Sequence, residues 1–130
     1  LEKAVLILLV EDEAMIALEV QDALNEGGYA VSILTNGTDA IAALNDAEHH
    51  FAGLVTDIQL GNGPEGWDVA QRARELYPDI PVVYMSGNRA GDHNSRGVPN
   101  SVMVQKPFAS AQIVTAISTL INNVSSPSTR

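Results

Sequence analysis

Six side chains in this sequence are of types and at places suited to chemistry: Glu11, Asp12 and Glu13 in a row, then Asp57, Ser86 and Lys106. The three consecutive acids follow an apolar run, Val5 to Val10, and each of the others stands at the end of its own short run. Crowded carboxylates are unfavourable, since two like charges about 4 Å apart repel by roughly 1–4 kcal/mol at intermediate dielectric. A cation or a proton relieves that repulsion. Carboxylates with backbone oxygen nearby suit a hard ion such as Mg²⁺, which commonly bridges protein oxygen to a phosphoryl group. A lysine adds a point positive charge for a phosphate oxygen, and a serine hydroxyl can donate to another. Phosphoryl transfer needs mainly positioning and charge neutralisation, and this set offers both.

These groups meet only if the strands that carry them lie side by side with their carboxyl ends on one edge. Val5 to Val10 is apolar without alternation, as in a strand covered on both faces of a parallel sheet. Its acids then fall at the edge where open α/β sheets place ligands. Strand and helix patterns alternate from end to end, which predicts an α/β fold with a doubly wound parallel sheet. Ile16, Val20, Ala23 and Leu24 fall at helical spacing, with Asp12 and Glu13 at the helix start and Gly27-Gly28 as its stop. Tyr29 to Leu34 reads as a second strand. Asn36-Gly37-Thr38 is a turn and cap, and Ala40, Ile41, Leu44 and Ala47 line the next helix.

Gly53 to Asp57 is a third strand, followed by a loop over 61–66 holding three glycines and a proline. Val69, Ala73 and Leu76 mark a helix that stops near Tyr77-Pro78, and Ile80 to Met85 is a fourth strand whose Pro81 must lie near its start. The stretch from Gly87 to Pro99 is polar and carries three glycines, so any helix there is expected to be short or mobile. Ser101 to Gln105 gives a fifth strand. Ser110 is placed to cap a last helix with Ile113, Ile117, Leu120, Ile121 and Val124 on one side. Five strands and about five helices result.

A chain of 130 residues with 45% apolar side chains is enough for one core. The absence of cysteine excludes disulfides, zinc–thiolate sites and thiol catalysis. No apolar run approaches the roughly 20 residues of a membrane span, and no signal peptide is visible, so a cytoplasmic location is expected. Seven basic against 16 acidic residues, net −9, argues against direct nucleic-acid binding and against docking on anionic membranes.

The ordered set Glu11-Asp12, Asp57, Ser86 and Lys106-Pro107-Phe108, on these strands, resembles the receiver domain of two-component response regulators, from about Ala4 to Val124. The resemblance implies a flavodoxin-like five-stranded sheet of order 2-1-3-4-5, with residues 1–124 as the receiver; the Ser/Pro composition of 125–130 reads as a disordered tail or linker. It implies that Asp57 takes a phosphoryl group from a sensor histidine kinase or a histidine phosphotransfer protein. Asp12 is then the direct Mg²⁺ ligand, Glu11 acts through water, and Asp57 and the backbone carbonyl of Gln59 complete the metal site. Lys106 pairs with Asp57 and then with the phosphoryl group, Ser86 is the hydroxyl that moves toward it, and the Lys106–Pro107 bond is cis. Self-phosphorylation and self-dephosphorylation of Asp57 would be the one catalytic activity. The output face for a downstream protein runs from about Arg89 to Ile121, on a monomer or weak dimer. Gln59 and Asn88 occupy the positions on which the family's phosphoryl lifetime depends.

The pattern departs from the family in two places. Met103 stands where an aromatic usually precedes the lysine by three, and Tyr84 is the candidate to take over its role. The loop after Asp57 lacks the common proline, and Gly66 lies about one residue later than usual. Glu13 reads as a helix-start charge, His49, His50 and His93 as surface residues, and Trp67 as packing at the start of the third helix. A receiver module excised from a hybrid histidine kinase or longer regulator is the near alternative, and a degenerate receiver that only binds partners is another. A Mg²⁺-dependent phosphohydrolase usually carries a second acid where Gln59 stands. A flavin-binding domain of the same topology would meet acids where it needs a phosphate cradle.

Overall fold

The computed structural model describes residues 5–125; residues 1–4 and 126–130 lie outside it. Five parallel strands form one sheet: β1 (Val5–Val10), β2 (Tyr29–Leu34), β3 (Gly53–Asp57), β4 (Val82–Ser86) and β5 (Ser101–Gln105). Their spatial order is β2-β1-β3-β4-β5, as the resemblance implies. The helices are α1 (Ala14–Glu26), α2 (Gly37–Asn45), α3 (Gly66–Leu76), α4 (His93–Arg96) and α5 (Ser110–Ser125). Among the described residues, no helix is long and apolar enough to cross a membrane.

The unbroken apolar run of β1 is explained by its two buried faces. Leu8 and Val10 face a core shared with α2 and α3, through Ala40, Leu44, Val69 and Ala73. Ile7 and Leu9 face the other core, with Val20 and Leu24 of α1 and Ile113 and Ile117 of α5. Ile7 through Val10 are all fully buried, each side chain worth about 1.5–3 kcal/mol relative to exposure. This double anchoring fixes the strand ends, and with them the acids that follow.

Several boundaries differ from the sequence reading, each for a local reason. Helix α2 ends at Asn45, so Ala47 is outside it. Asp46 turns to extended backbone and its Oδ1 accepts the N–H of Glu48, a local bond that competes with helix continuation. Strand β4 begins at Val82, beyond Pro81, and runs through Ser86. Ser110 is the first residue of α5, and at that end Ala109 and Gln112 bond reciprocally, the Ala109 N–H donating to Gln112 Oε1 and the Gln112 N–H to Ala109 O. Along α5 only Ile113 and Ile117 of the expected apolar face are buried, while Val124 is exposed. The helix extends to Ser125, the first residue assigned to the tail, and the rest of that tail lies outside the described residues.

Between β4 and β5 the glycine-rich stretch supports only a 3-10 turn (Ala90–Asp92) and the single turn of α4. Short helical structure is what its composition allows. At the other end of the site, Gly66 opens α3 with its N–H on Ile58 O at 2.8 Å. A Cβ there would collide with the backbone carbonyl of Asp57, so only glycine lets α3 start this close to the end of β3.

Candidate functional site

The carboxyl ends of β1, β3 and β5 bring four charged groups to one point. Glu11 continues β1 by one residue, its N–H donating to Leu34 O, and its side chain is fully buried. Its Oε2 accepts the N–H of Glu13 at 3.0 Å, which orients the carboxylate. Asp57 closes β3 and is 6% exposed. One carboxylate oxygen from each of Glu11, Asp12 and Asp57 lies within 4.8 Å of the others.

Lys106 completes the group from the far edge of the sheet. Its backbone N–H donates to Ser86 O at 2.7 Å, which ties the end of β5 to the end of β4. Its Nζ then donates to Glu11 Oε1 and to Asp57 Oδ2, both at 3.2 Å. The Lys106–Pro107 bond is cis, as expected from the resemblance. Glu13, read from sequence as a helix-start charge, also brings a carboxylate oxygen to 3.9 Å from Lys106 Nζ.

The electrostatics are those of a site short of positive charge. Burial pushes the Glu11 carboxyl up to about 7, and the Asp57 charge adds to that; the Glu13 N–H and the lysine pull it back. Burial alone would lower the Lys106 ammonium, but Asp57 and Glu11 outweigh it and raise it. One ammonium among these acids leaves an excess of negative charge. Three converging carboxylates without nitrogen or sulfur ligands fit a hard divalent cation such as Mg²⁺.

Ser86 ends β4 and is 1% exposed; its Oγ accepts the backbone N–H of Arg89 at 2.6 Å. Gln59 lies two residues beyond Asp57 with its side chain exposed. The histidines at 49 and 50 are exposed, as read from sequence. His93 is instead half-buried, its Nε2 at 2.8 Å from Ser101 Oγ.

Met103 and Tyr84 are paired neighbours across the β4–β5 ladder. Tyr84 is fully buried, with its ring 4.8 Å from that of Trp67 and 5.7 Å from that of His93. Its hydroxyl accepts the N–H of Val98 at 3.0 Å. Tyr84 therefore anchors the segment that leads into β5. Tyr84→Phe is expected to strand a buried N–H and destabilise the fold by about 1–3 kcal/mol. A urea melt checks this: the midpoint should fall with an unchanged slope.

Sequence reasoning missed one further arrangement. Arg89, just after β4, reaches Glu65 at the start of α3 (Nη1 to Oε2, 3.2 Å) and back to Asp92 (Nε to Oδ2, 2.9 Å). The 24-residue separation of Arg89 and Glu65 has no period to betray it.

Known proteins resemble this chain over most of its length. The model of the response regulator receiver domain matches residues 7–118. The response regulator receiver protein CpdR of Brucella abortus is 31% identical over 117 residues, covering 88% of this chain and 95% of that protein. The transcriptional regulatory protein QseB of Haemophilus influenzae is also 31% identical over 117 residues, but the chain spans only 52% of its length. The crystal structure of a response regulator receiver protein from Sinorhizobium medicae superposes with a TM-score of 0.89 at 43% identity, over 92% of this chain and 96% of that one. The receiver domain of the sensor histidine kinase PA1611 from Pseudomonas aeruginosa, solved with a magnesium ion coordinated in its active-site cleft, shares the fold at 19% identity and a TM-score of 0.76, over 92% of this chain and 99% of that one.

Proposed function

The chain belongs to the response regulator receiver domain family, and from that premise we propose that Asp57 accepts a phosphoryl group from a histidine kinase or histidine phosphotransfer protein. The observation that carries this reading is the convergence of Glu11, Asp12 and Asp57 with the Lys106 ammonium hydrogen-bonded to two of them. Asp12, Glu11, Asp57 and the backbone carbonyl of Gln59 would hold Mg²⁺, which supplies charge neutralisation for the incoming phosphoryl oxygens.

In the transfer, a carboxylate oxygen of Asp57 attacks phosphorus in line. The new P–O bond forms as the P–N bond to the donor imidazole breaks. Lys106 holds the carboxylate in place beforehand and a phosphoryl oxygen afterwards. Water later attacks the same phosphorus, and the Asp57 carboxylate leaves with release of inorganic phosphate. The added charge of about −1.5 to −2 draws the Ser86 hydroxyl inward and biases the segment from about Arg89 to Ile121 toward a state that a downstream protein recognises. The partners are proteins in the cytoplasm; the net charge of −9 disfavours nucleic acid and anionic membrane.

Intact-mass measurement after incubation with acetyl phosphate tests the reading. A single phosphoryl adduct is expected with Mg²⁺ and little or none after chelation. An unmodified mass under both conditions would leave only a binding role for the domain.

A further inference from the structure

The Ser86 hydroxyl is already engaged: its Oγ accepts the Arg89 N–H at 2.6 Å, and the Arg89 side chain is anchored at both ends of its guanidinium. That guanidinium spans two loops: Nη1 bonds Glu65 on the β3–α3 side, and Nε bonds Asp92 in the 3-10 turn on the β4–α4 side. Glu65 is in turn fixed at the start of α3, its N–H donating to Asp68 Oδ2 at 3.0 Å. The next residue is Gly66, which abuts the Asp57 carbonyl. One residue thus links three places: its backbone N–H holds the hydroxyl residue, and its side chain joins the loop after the acceptor to the first turn of the output segment.

We propose that Arg89 and Glu65 form a clip between the two loops that keeps Ser86 withdrawn, and that opening it is the step coupling the phosphoryl group to the α4 region. This rests on the phosphoacceptor reading above and adds positioning residues to it. With the clip closed, the Arg89 N–H holds the hydroxyl oxygen and the Asp92 bond holds the 3-10 turn. When Ser86 moves to a phosphoryl oxygen the N–H contact breaks, and the guanidinium loses its fixed backbone. The clip therefore favours the unphosphorylated state and lowers apparent affinity for anything that stabilises the other. Both partners are partly exposed, so the effect should match that of an exposed ion pair, about two- to fivefold in equilibrium.

The test is beryllofluoride affinity in saturating Mg²⁺, read by Trp67 emission and by calorimetry, for wild type, Glu65→Gln, Arg89→Ala, Arg89→Lys and the Glu65→Gln/Arg89→Ala double variant. Charge alone predicts opposite shifts, because losing an acid favours an anionic ligand and losing an arginine disfavours it. The clip predicts that both single variants bind about two- to fivefold tighter, that the double variant gains little more, and that Arg89→Lys stays nearer wild type. Rising salt should tighten wild-type binding by screening the pair while leaving Glu65→Gln less affected. Unchanged affinities, opposite shifts or fully additive gains would overturn the clip while leaving the acceptor site intact. Wild-type protein that binds no beryllofluoride at all would overturn the site reading and the clip together. Thermal melts of each variant confirm that the folded protein is being compared.

Discussion

Asp57→Asn is expected to leave the protein without any acid-labile phosphoryl label from acetyl phosphate, a loss to background rather than a reduction. The amide has no anionic oxygen to attack phosphorus, and the other acids at the site are held differently. Glu11 is turned toward the Glu13 N–H and Lys106, and Asp12 is exposed to water. The substitution should not achieve this by unfolding. Asparagine fills the same volume and keeps an oxygen that can accept from Lys106, while the excess of negative charge falls by one. The Asp57 charge is one of the influences that raise Glu11, so its removal eases a second buried carboxylate as well. The variant should therefore melt no lower than wild type at pH 8 without metal. Intact mass, acid-labile label and a thermal melt on one preparation separate the outcomes. Undiminished label would put the acceptor on another side chain.

The parts of this molecule that were legible in its sequence are those governed by short-range periodicity. Val5 to Val10 reads as a doubly covered strand because every position must face apolar neighbours, and the two cores on either side of the sheet bear that out. The acids stand at the edge of the sheet because strands of a parallel sheet end together. The sheet order itself came from resemblance, since nothing in the spacing distinguishes 2-1-3-4-5 from other arrangements of five strands.

What escaped the sequence reading depends on competition or on distance. Ala47 fits the helical face of α2, but the Asp46 side chain bonds locally and ends the helix first. Val124 fits the apolar face of α5, yet that helix has run past the core by then and the side chain is exposed. Tyr84 looks like a free aromatic to substitute for the one missing at Met103. Its hydroxyl, however, is committed to Val98, fourteen residues away. The Arg89–Glu65 pair joins two loops, and loops carry no repeating pattern that would announce a contact. The local chemistry of the acids was readable from residue types; the restraints on Ser86 were not.

Lys106→Met should expose how far the site depends on its one ammonium. Methionine keeps most of the apolar stem and removes the charge, so packing changes little while Glu11 and Asp57 lose their shared donor. Lys106 retains some contact with water, its side chain being 18% exposed. The cost at pH 8 without metal should therefore lie at about 2–3 kcal/mol, below the roughly 3–5 kcal/mol that removing one partner of a fully buried pair costs. That corresponds to a melting temperature lower by on the order of 10 °C. The deficit should depend on pH in a definite sense. Glu11 titrates at about 7 in the fold against an ordinary 4.5, so its contribution to stability is full below the lower value and is lost as pH rises through the higher one. Without the lysine, which pulls that carboxyl down, the folded value moves higher still, and the variant loses more than wild type between pH 7 and pH 8. At pH 5.5 Glu11 is protonated in both proteins and the gap should shrink by about half. Millimolar Mg²⁺ at pH 8 should narrow it too, because a cation among the acids substitutes for the missing one, yet labelling by acetyl phosphate should stay strongly impaired because neutralisation alone does not place the phosphoryl oxygens. Melts at pH 5.5 and 8, with and without Mg²⁺, give the four values needed. A variant as stable as wild type at pH 8 in chelator would mean that the acids hold no buried charge for Lys106 to balance.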